Sequence, residues 1–230
     1  MSMRCGLFGK LGSKRDFIAV ATPRKFLGVW EPWMQACLSA SRHQLGDDWQ
    51  SAFLSAPVWR FWLGAEICGA SVAGVIMPSL DAIGRYYPLT LHAIADDATS
   101  IALPDTDAQD VWYEEAEHFL LATLDPAADF GATTAALERL PIPALQPEAT
   151  SLFSGSGNQM GSALVGDGFA MSLAALRLAN PGIYAAGTFW WTAGGTNFPS
   201  MALSCRSLPD PYHYSILLTG RSVGATALAT

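Results

Sequence analysis

Ser79, Asp81 and Arg85 fall within one short stretch, "PSLDAIGRYYPLTL" (78–91). A hydroxyl and a carboxylate are two members of a Ser–His–Asp triad, which geometry rather than chain order defines. An arginine beside them, joined by Arg60 of "VWRFWL" (58–63), forms a clamp for a carboxylate or phosphate. The same serine and aspartate also suit a plain turn, in which each bonds nearby backbone. All three readings are open from these residues alone. The triad lacks a nearby base. Of His43, His92, His118 and His213, only His92 is close in sequence. It lies seven residues beyond Arg85, about 23 Å along an extended strand. The histidines are expected to face solvent or cap elements.

Arg60 is a charge inside an apolar strand, so it must be paired or reach a surface. Asp16 and Asp81 are the expected partners. Lys10, Asp16, Arg60, Ser79, Asp81 and Arg85 together make a candidate polar cluster near the strand ends, part structural and part partner-binding. Trp59, Trp190 and Trp191 are a candidate aromatic interface, with core packing as the competing role. Adjacent strand residues point to opposite faces, so Trp190 and Trp191 cannot both serve one surface.

Other chemistry finds little support. "SGSGNQMG" (154–161) spaces its glycines as GxGxxxG, without the Lys-Ser/Thr ending of a phosphate loop, and reads as a flexible loop. Ser156 is not in the G-x-S-x-G context of a nucleophile elbow. Cys5, Cys37, Cys68 and Cys205 form no CxxC pair and sit among apolar neighbours. They are expected to be free thiols in a reducing compartment, not zinc ligands. No catalytic residue, metal site or cofactor is expected.

These residues need elements to position them. "RCGLFGK" (4–10) reads as a first strand, followed by a loop. A helix is expected from Thr22 as N-cap and Pro23 at its first position, with Phe26, Trp30, Trp33, Met34 and Cys37 on one face. A short helix follows in "DDWQSAFLSA". "VWRFWL", the all-apolar "VAGVIM" (72–77) and "RYYPLTLHAI" (85–94) read as strands. The last two form a hairpin, with Pro88 marking an edge or bulge. Helices are expected over 108–125 and 130–140. Residues 141–163 read as a long Pro- then Ser/Gly-rich loop, and "MSLAALRLA" (171–179) as a short helix. Strands "GTFWWTA" and "SMALSC" and a helix opening at Asp210–Pro211 complete the domain. Helices on both sides of buried strands predict an α/β fold, a three-layer α/β/α sandwich with a central mixed sheet. Residues 1–220 are expected to form one domain, and 221–230 a tail.

Half of the 230 residues are hydrophobic and 14% are charged, which favours a packed core over disorder. No apolar run is long enough to span a membrane, and the N-terminus does not read as a secretory signal. A net charge of −7 argues against nucleic acid as a partner. All three lysines lie in the first 25 residues. From Tyr86 to Glu138 there are eleven Asp and Glu but no Lys or Arg. The acidic middle reads either as a solvated helix face or as a docking face for a partner of opposite charge.

"GLFGKLGSKRDF" (6–17), "AVATPRKFLGVWEPWMQACLSASRHQLGDDW" (19–49), "APVWRF" (56–61), "GVIMPSLDAIGRYYPLT" (74–90), "WW" (190–191) and "SLPDPYHYSILLTG" (207–220) together resemble the TagF family of type VI secretion-associated proteins. The resemblance is strongest over residues 5–92, and the PSxDxxGRYxPL string is its most specific part. The family usually has proline at Gly12 and glycine at Arg15, so the loop after the first strand is expected to differ in shape. The resemblance implies a cytoplasmic, non-enzymatic protein that represses type VI secretion after translation. It implies a protein partner, a forkhead-associated scaffold or another secretion component, and again an α/β/α domain. It supplies no catalytic residue to carry over. A small-molecule-binding or hydrolytic enzyme using Arg60, Ser79, Asp81 and Arg85 is the competing reading.

Overall fold

A computed structural model describes residues 3–96, 99–147, 160–164, 168–169, 171, 173 and 187–221. The chain opens with β1 (Cys5–Gly9) and β2 (Ile18–Val20), then the long helix α1 (Arg24–Leu45) and the shorter α2 (Trp49–Ser55). β3 (Trp59–Leu63), a one-turn α3 (Ala65–Cys68), β4 (Val72–Met77) and β5 (Leu89–Ile94) follow. Next come β6 (Thr99–Ile101), α4 (Asp110–Ala122), α5 (Phe130–Leu137), β7 (Leu145–Pro147) and β8 (Met160–Leu164). β9 (Thr188–Thr192), β10 (Met201–Cys205) and α6 (Tyr214–Thr219) end the described chain.

Eight strands form one sheet in the order β2-β1-β5-β4-β3-β9-β10-β8, while β6 and β7 pair separately. Every described pairing is antiparallel. The expected α/β class holds, but the mixed sheet is corrected to an antiparallel one. Neighbours such as β3–β4, β4–β5 and β9–β10 are joined by connections that reverse the chain, so no parallel crossover arises.

Alternation along the strands builds two hydrophobic clusters. Leu7, Trp62, Val75, Leu91 and Trp191 pack with Trp112, Tyr113, Phe119 and Leu120 of α4 and Leu137 of α5. Phe8, Phe61, Leu63, Ile76 and Trp190 pack with Phe26, Trp30, Trp33 and Met34 of α1, Phe53 of α2 and Leu217 of α6. Trp30 lies 4.8 Å from Phe61 and 6.0 Å from Trp190, ring centre to ring centre. This aromatic stack needs space. Phe61 sits directly across from Gly74, and a Cβ there would lie 2.3 Å from the Phe61 ring. Gly6 similarly makes room for His92, its cross-strand neighbour.

Several expected elements differ in detail. The short β2 was not expected. Thr22 does not cap α1; Pro23 holds the N-cap position without a side-chain bond. The Thr22 hydroxyl donates to the Leu7 and Val20 carbonyls instead, tying β1 to the helix entrance. The strand expected from Arg85 begins only at Leu89, so Pro88 precedes it and β5 runs unbroken through the sheet centre. The loop expected over 141–163 carries strand at both ends, β7 and β8. Its middle, most of the 154–161 glycine motif, most of the helix expected at 171–179 and nearly all of the 221–230 tail lie outside the described residues. Among those described, no helix is long and apolar enough to cross a membrane. The four cysteines are free, three of them buried.

Candidate functional site

The connection from β4 to β5 is fastened around Asp81. Its Oδ1 accepts from the backbone N–H groups of Ile83 at 3.1 Å and Arg85 at 2.8 Å. This is the local wrapping that Asp favours in turns. Gly84 supplies the left-handed backbone the turn requires, at φ +80°, and its N–H bonds the Asp81 carbonyl at 2.9 Å. Oδ2 accepts from Arg85 Nε at 2.6 Å and from the buried Lys10 ammonium. The Asp81 carboxylate is wholly hidden, and the Lys10 side chain nearly so. Burial alone would raise its pKa. The Lys10 and Arg85 hydrogen bonds and the backbone donors outweigh that and hold it well below the usual carboxylate range.

A second set of bonds fixes this loop to the one after β1. Ser79 Oγ donates to the Lys10 carbonyl at 2.8 Å, and the Ala82 N–H to the Lys14 carbonyl at 2.8 Å. Arg85 Nη2 donates to the Arg15 carbonyl. Lys10 also lies 4.9 Å from the Phe17 ring centre. The two loops are one braced unit. Ala82, Ile83, Gly84 and Arg85 project from it into solvent, with the Arg85 side chain 54% exposed.

Four of the six expected cluster members therefore meet: Lys10, Ser79, Asp81 and Arg85. Asp16 is exposed and has no hydrogen bond or ion pair among the described residues. Arg60 pairs elsewhere, which corrects the expected Asp16 or Asp81 partner. Its side chain leaves β3 towards α4, where Nε and Nη2 grip Glu117 at 2.7 and 2.9 Å. Nη1 reaches Asp110 at 3.3 Å, and the guanidinium lies 5.5 Å from the Tyr113 ring centre. Burial alone would lower the Arg60 pKa, but Glu117 and Asp110 raise it above its ordinary value. A usable signal was present: Asp110 and Glu117 are two helical turns apart, on the side that carries Tyr113.

The aromatic interface is also corrected. Trp59, Trp190 and Trp191 are all core residues. Trp59 Nε1 donates to the Leu217 carbonyl at 2.9 Å, and Trp190 Nε1 to Thr188 Oγ1 at 3.0 Å. Trp190 and Trp191 do face opposite clusters. His92 is buried rather than solvent-facing. Its Nε2 shares a bond with Thr22 Oγ1 at 3.0 Å, so it serves neither Ser79 nor Asp81.

Beside the brace lies an open groove of about 590 Å³, at the sheet end where β3 begins and β4 finishes. Pro78, Ser79 and Leu80 form one wall, the end of α2 through Val58 another, and the end of α4 a third. Lys10, Asp81, Arg85 and Arg60 do not line it. Sequence reasoning missed this groove because its walls come from four separate segments.

No curated protein matches the sequence. In structure the chain is similar to PA0076 from Pseudomonas aeruginosa PAO1, solved by crystallography. The TM-score is 0.76 at 28% sequence identity, covering 98% of this chain and 99% of that one. The family model for the TagF N-terminal domain, type VI secretion system-associated, matches residues 6–140. Those residues hold the whole brace, from Lys10 to Arg85, and the Arg60 lock. The chain belongs to the TagF family of type VI secretion-associated proteins.

Proposed function

We propose that the chain is a non-enzymatic regulator that restrains type VI secretion after translation, by binding a protein of the secretion apparatus or its forkhead-associated scaffold in the cytoplasm. The supporting observation is how Asp81 is used. Both its oxygens are taken up by donors from its own loop and from Lys10, so the most family-specific stretch is a filled brace that displays its tip. A hydrolytic or small-molecule site in this cluster needs an open carboxylate or a clamp between Arg60 and Arg85. The carboxylate is occupied, and Arg60 is held by α4. We read the helices on the two sheet faces as the outer layers of a three-layer sandwich. Such a scaffold presents loops at a fixed geometry.

The test is Arg85→Ala in a strain with active type VI secretion. The side chain is half exposed, so the variant is expected to fold while losing both repression and capture of the secretion component. A folded variant that represses as the parent does refutes the assignment of this loop.

A further inference from the structure

The groove beside the brace has features that the brace does not explain. Leu54, Leu121 and Leu124 line it and are 53%, 47% and 57% exposed. Pro57, Met77 and Pro126 add further apolar lining. Large apolar side chains grouped around one concavity mark a contact surface, whereas scattered ones do not. Leu54 comes from α2, Leu121 from α4 and Leu124 from the turn just past its end; α2 and α4 pack on opposite sheet faces, so the groove is a seam between both helical layers.

The α4 side of this seam is acidic. α4 runs back from Leu121 through His118 to the exposed Glu115, Glu114 and Val111. Neither Glu114 nor Glu115 has an ion pair among the described residues. No Lys or Arg occurs anywhere between Tyr86 and Glu138. Among the described residues, Asp125 is the only ionisable group in the groove lining. The loop that supplies Gly12 and Ser13 continues into Lys14 and the exposed Arg15, and two nearby basic side chains are engaged. Lys14 lies 4.3 Å from the Phe130 ring centre, and Arg85 is bonded to Asp81 and to the Arg15 carbonyl.

The geometry points to a docking site for a basic amphipathic helix of a partner protein. Its apolar side chains enter the seam among Leu54, Leu121 and Leu124, and its lysines or arginines face Glu114 and Glu115 along α4. A helix laid in a groove is a recurrent recognition mode, read through anchors one turn apart. Charge along the rim sets orientation and encounter rate, while the apolar anchors supply most of the affinity. This inference rests on the binding role proposed above and names the chemistry of one partner segment.

The probes are two synthetic 18-residue helical peptides with identical leucine positions, one Leu/Lys and one Leu/Glu, titrated against the full chain by fluorescence anisotropy. The Leu/Lys peptide is expected to bind, and the Leu/Glu peptide to bind at least about tenfold more weakly. Leu121→Ser with Leu124→Ser should weaken the Leu/Lys peptide by about tenfold or more without changing thermal stability, because both side chains are already half exposed. Glu114→Lys with Glu115→Lys should weaken it by roughly fivefold at low salt and less at high salt. Equal binding of both peptides, or no effect of the leucine changes, overturns the proposal. So does a shift from dimer to monomer on Leu124→Ser in sedimentation, which would make the occupant a second copy. A gain of about tenfold or more in affinity on deleting residues 222–230 would make it the chain's own tail. In cells, leucine variants that still repress while Arg85→Ala does not would sink the seam and leave the binding role standing. If none of these variants alters repression, both readings fall.

Discussion

Replacing Lys10 by methionine tests whether burial, rather than mere ion pairing, gives the brace its strength. The stem keeps its length and apolar packing, and the ammonium alone is lost. Lys10 is 4% exposed and its partner carboxylate is hidden. Stripping one partner from a buried pair costs about 3–5 kcal/mol when the remaining charge is abandoned. Here it is not abandoned, because Arg85 Nε and two backbone N–H groups still serve the carboxylate. The expected loss is therefore smaller, about 2 kcal/mol. For a chain of this size that lowers Tm by about 4–8 °C. Arg85→Met removes the half-exposed member of the same triad and should cost only about 0.5–1 kcal/mol. Urea unfolding followed by the fluorescence of the eight tryptophans reads both. The pH dependence has a definite sign. Because the Asp81 carboxyl is held below its unfolded value, the brace contributes fully above about pH 4, and that contribution fades as pH falls through the lower folded value. The Lys10→Met deficit should thus be flat from about pH 5 to 8 and shrink only in acid. A cost equal to that of Arg85→Met, or no cost at all, would refute the reasoning from burial.

Gly74→Ala would place a Cβ 2.3 Å from Phe61 Cζ and 2.5 Å from the Leu91 carbonyl oxygen, so it should lose about 3 kcal/mol or more by urea midpoint. Gly28→Ala meets nothing within 4 Å inside α1 and should instead gain about 1 kcal/mol in the same assay. A double-mutant cycle of Arg60→Met and Glu117→Gln should give a coupling of about 1–2 kcal/mol, and a value near zero would dismiss the lock between β3 and α4. Burial pushes the His92 pKa down to about 3, below its unfolded value. The neutral ring's contribution is complete above about pH 6.5 and declines below it by up to 1.4 kcal/mol per pH unit. His92→Gln should therefore remove roughly 2 kcal/mol of the stability lost between pH 7 and 5, measured by unfolding at both values.

The parts legible in the sequence are those that local pattern determines. The all-apolar Val72–Met77, the spacing of Phe26, Trp30, Trp33 and Met34, and the Asp210–Pro211 helix start each imply their element without tertiary knowledge. Asp210 does accept from the Tyr212 N–H at 2.9 Å, but the element it caps is a one-turn 3-10 helix, Pro211–His213, and α6 begins only at Tyr214. The self-contained turn at Asp81 was equally readable, since its backbone partners lie two and four residues away. What failed was pairing at a distance. Arg60 required a partner, yet nothing local separates Asp81 from Glu117, which lies 57 residues on. β2 and β7 are three residues each, too short for alternation to declare itself. Trp190 and Trp191 look identical as core or as interface until the helices above and below them are placed.

The join between β3 and β9 has a bearing on how the molecule is handled. β3 belongs to the family-matched stretch, residues 6–140, and β9 lies beyond it. The two are bonded from Arg60 opposite Trp191 to Leu63 opposite Thr188. A truncation after residue 140 would bare that flank of β3 as an unpaired edge. It would also pull Trp190 from one cluster and Trp191 from the other. A fragment of that kind offers a sticky template for strand addition. A chain cut after residue 140 is therefore expected to aggregate where the chain kept through α6 does not, which size-exclusion chromatography of the two would read.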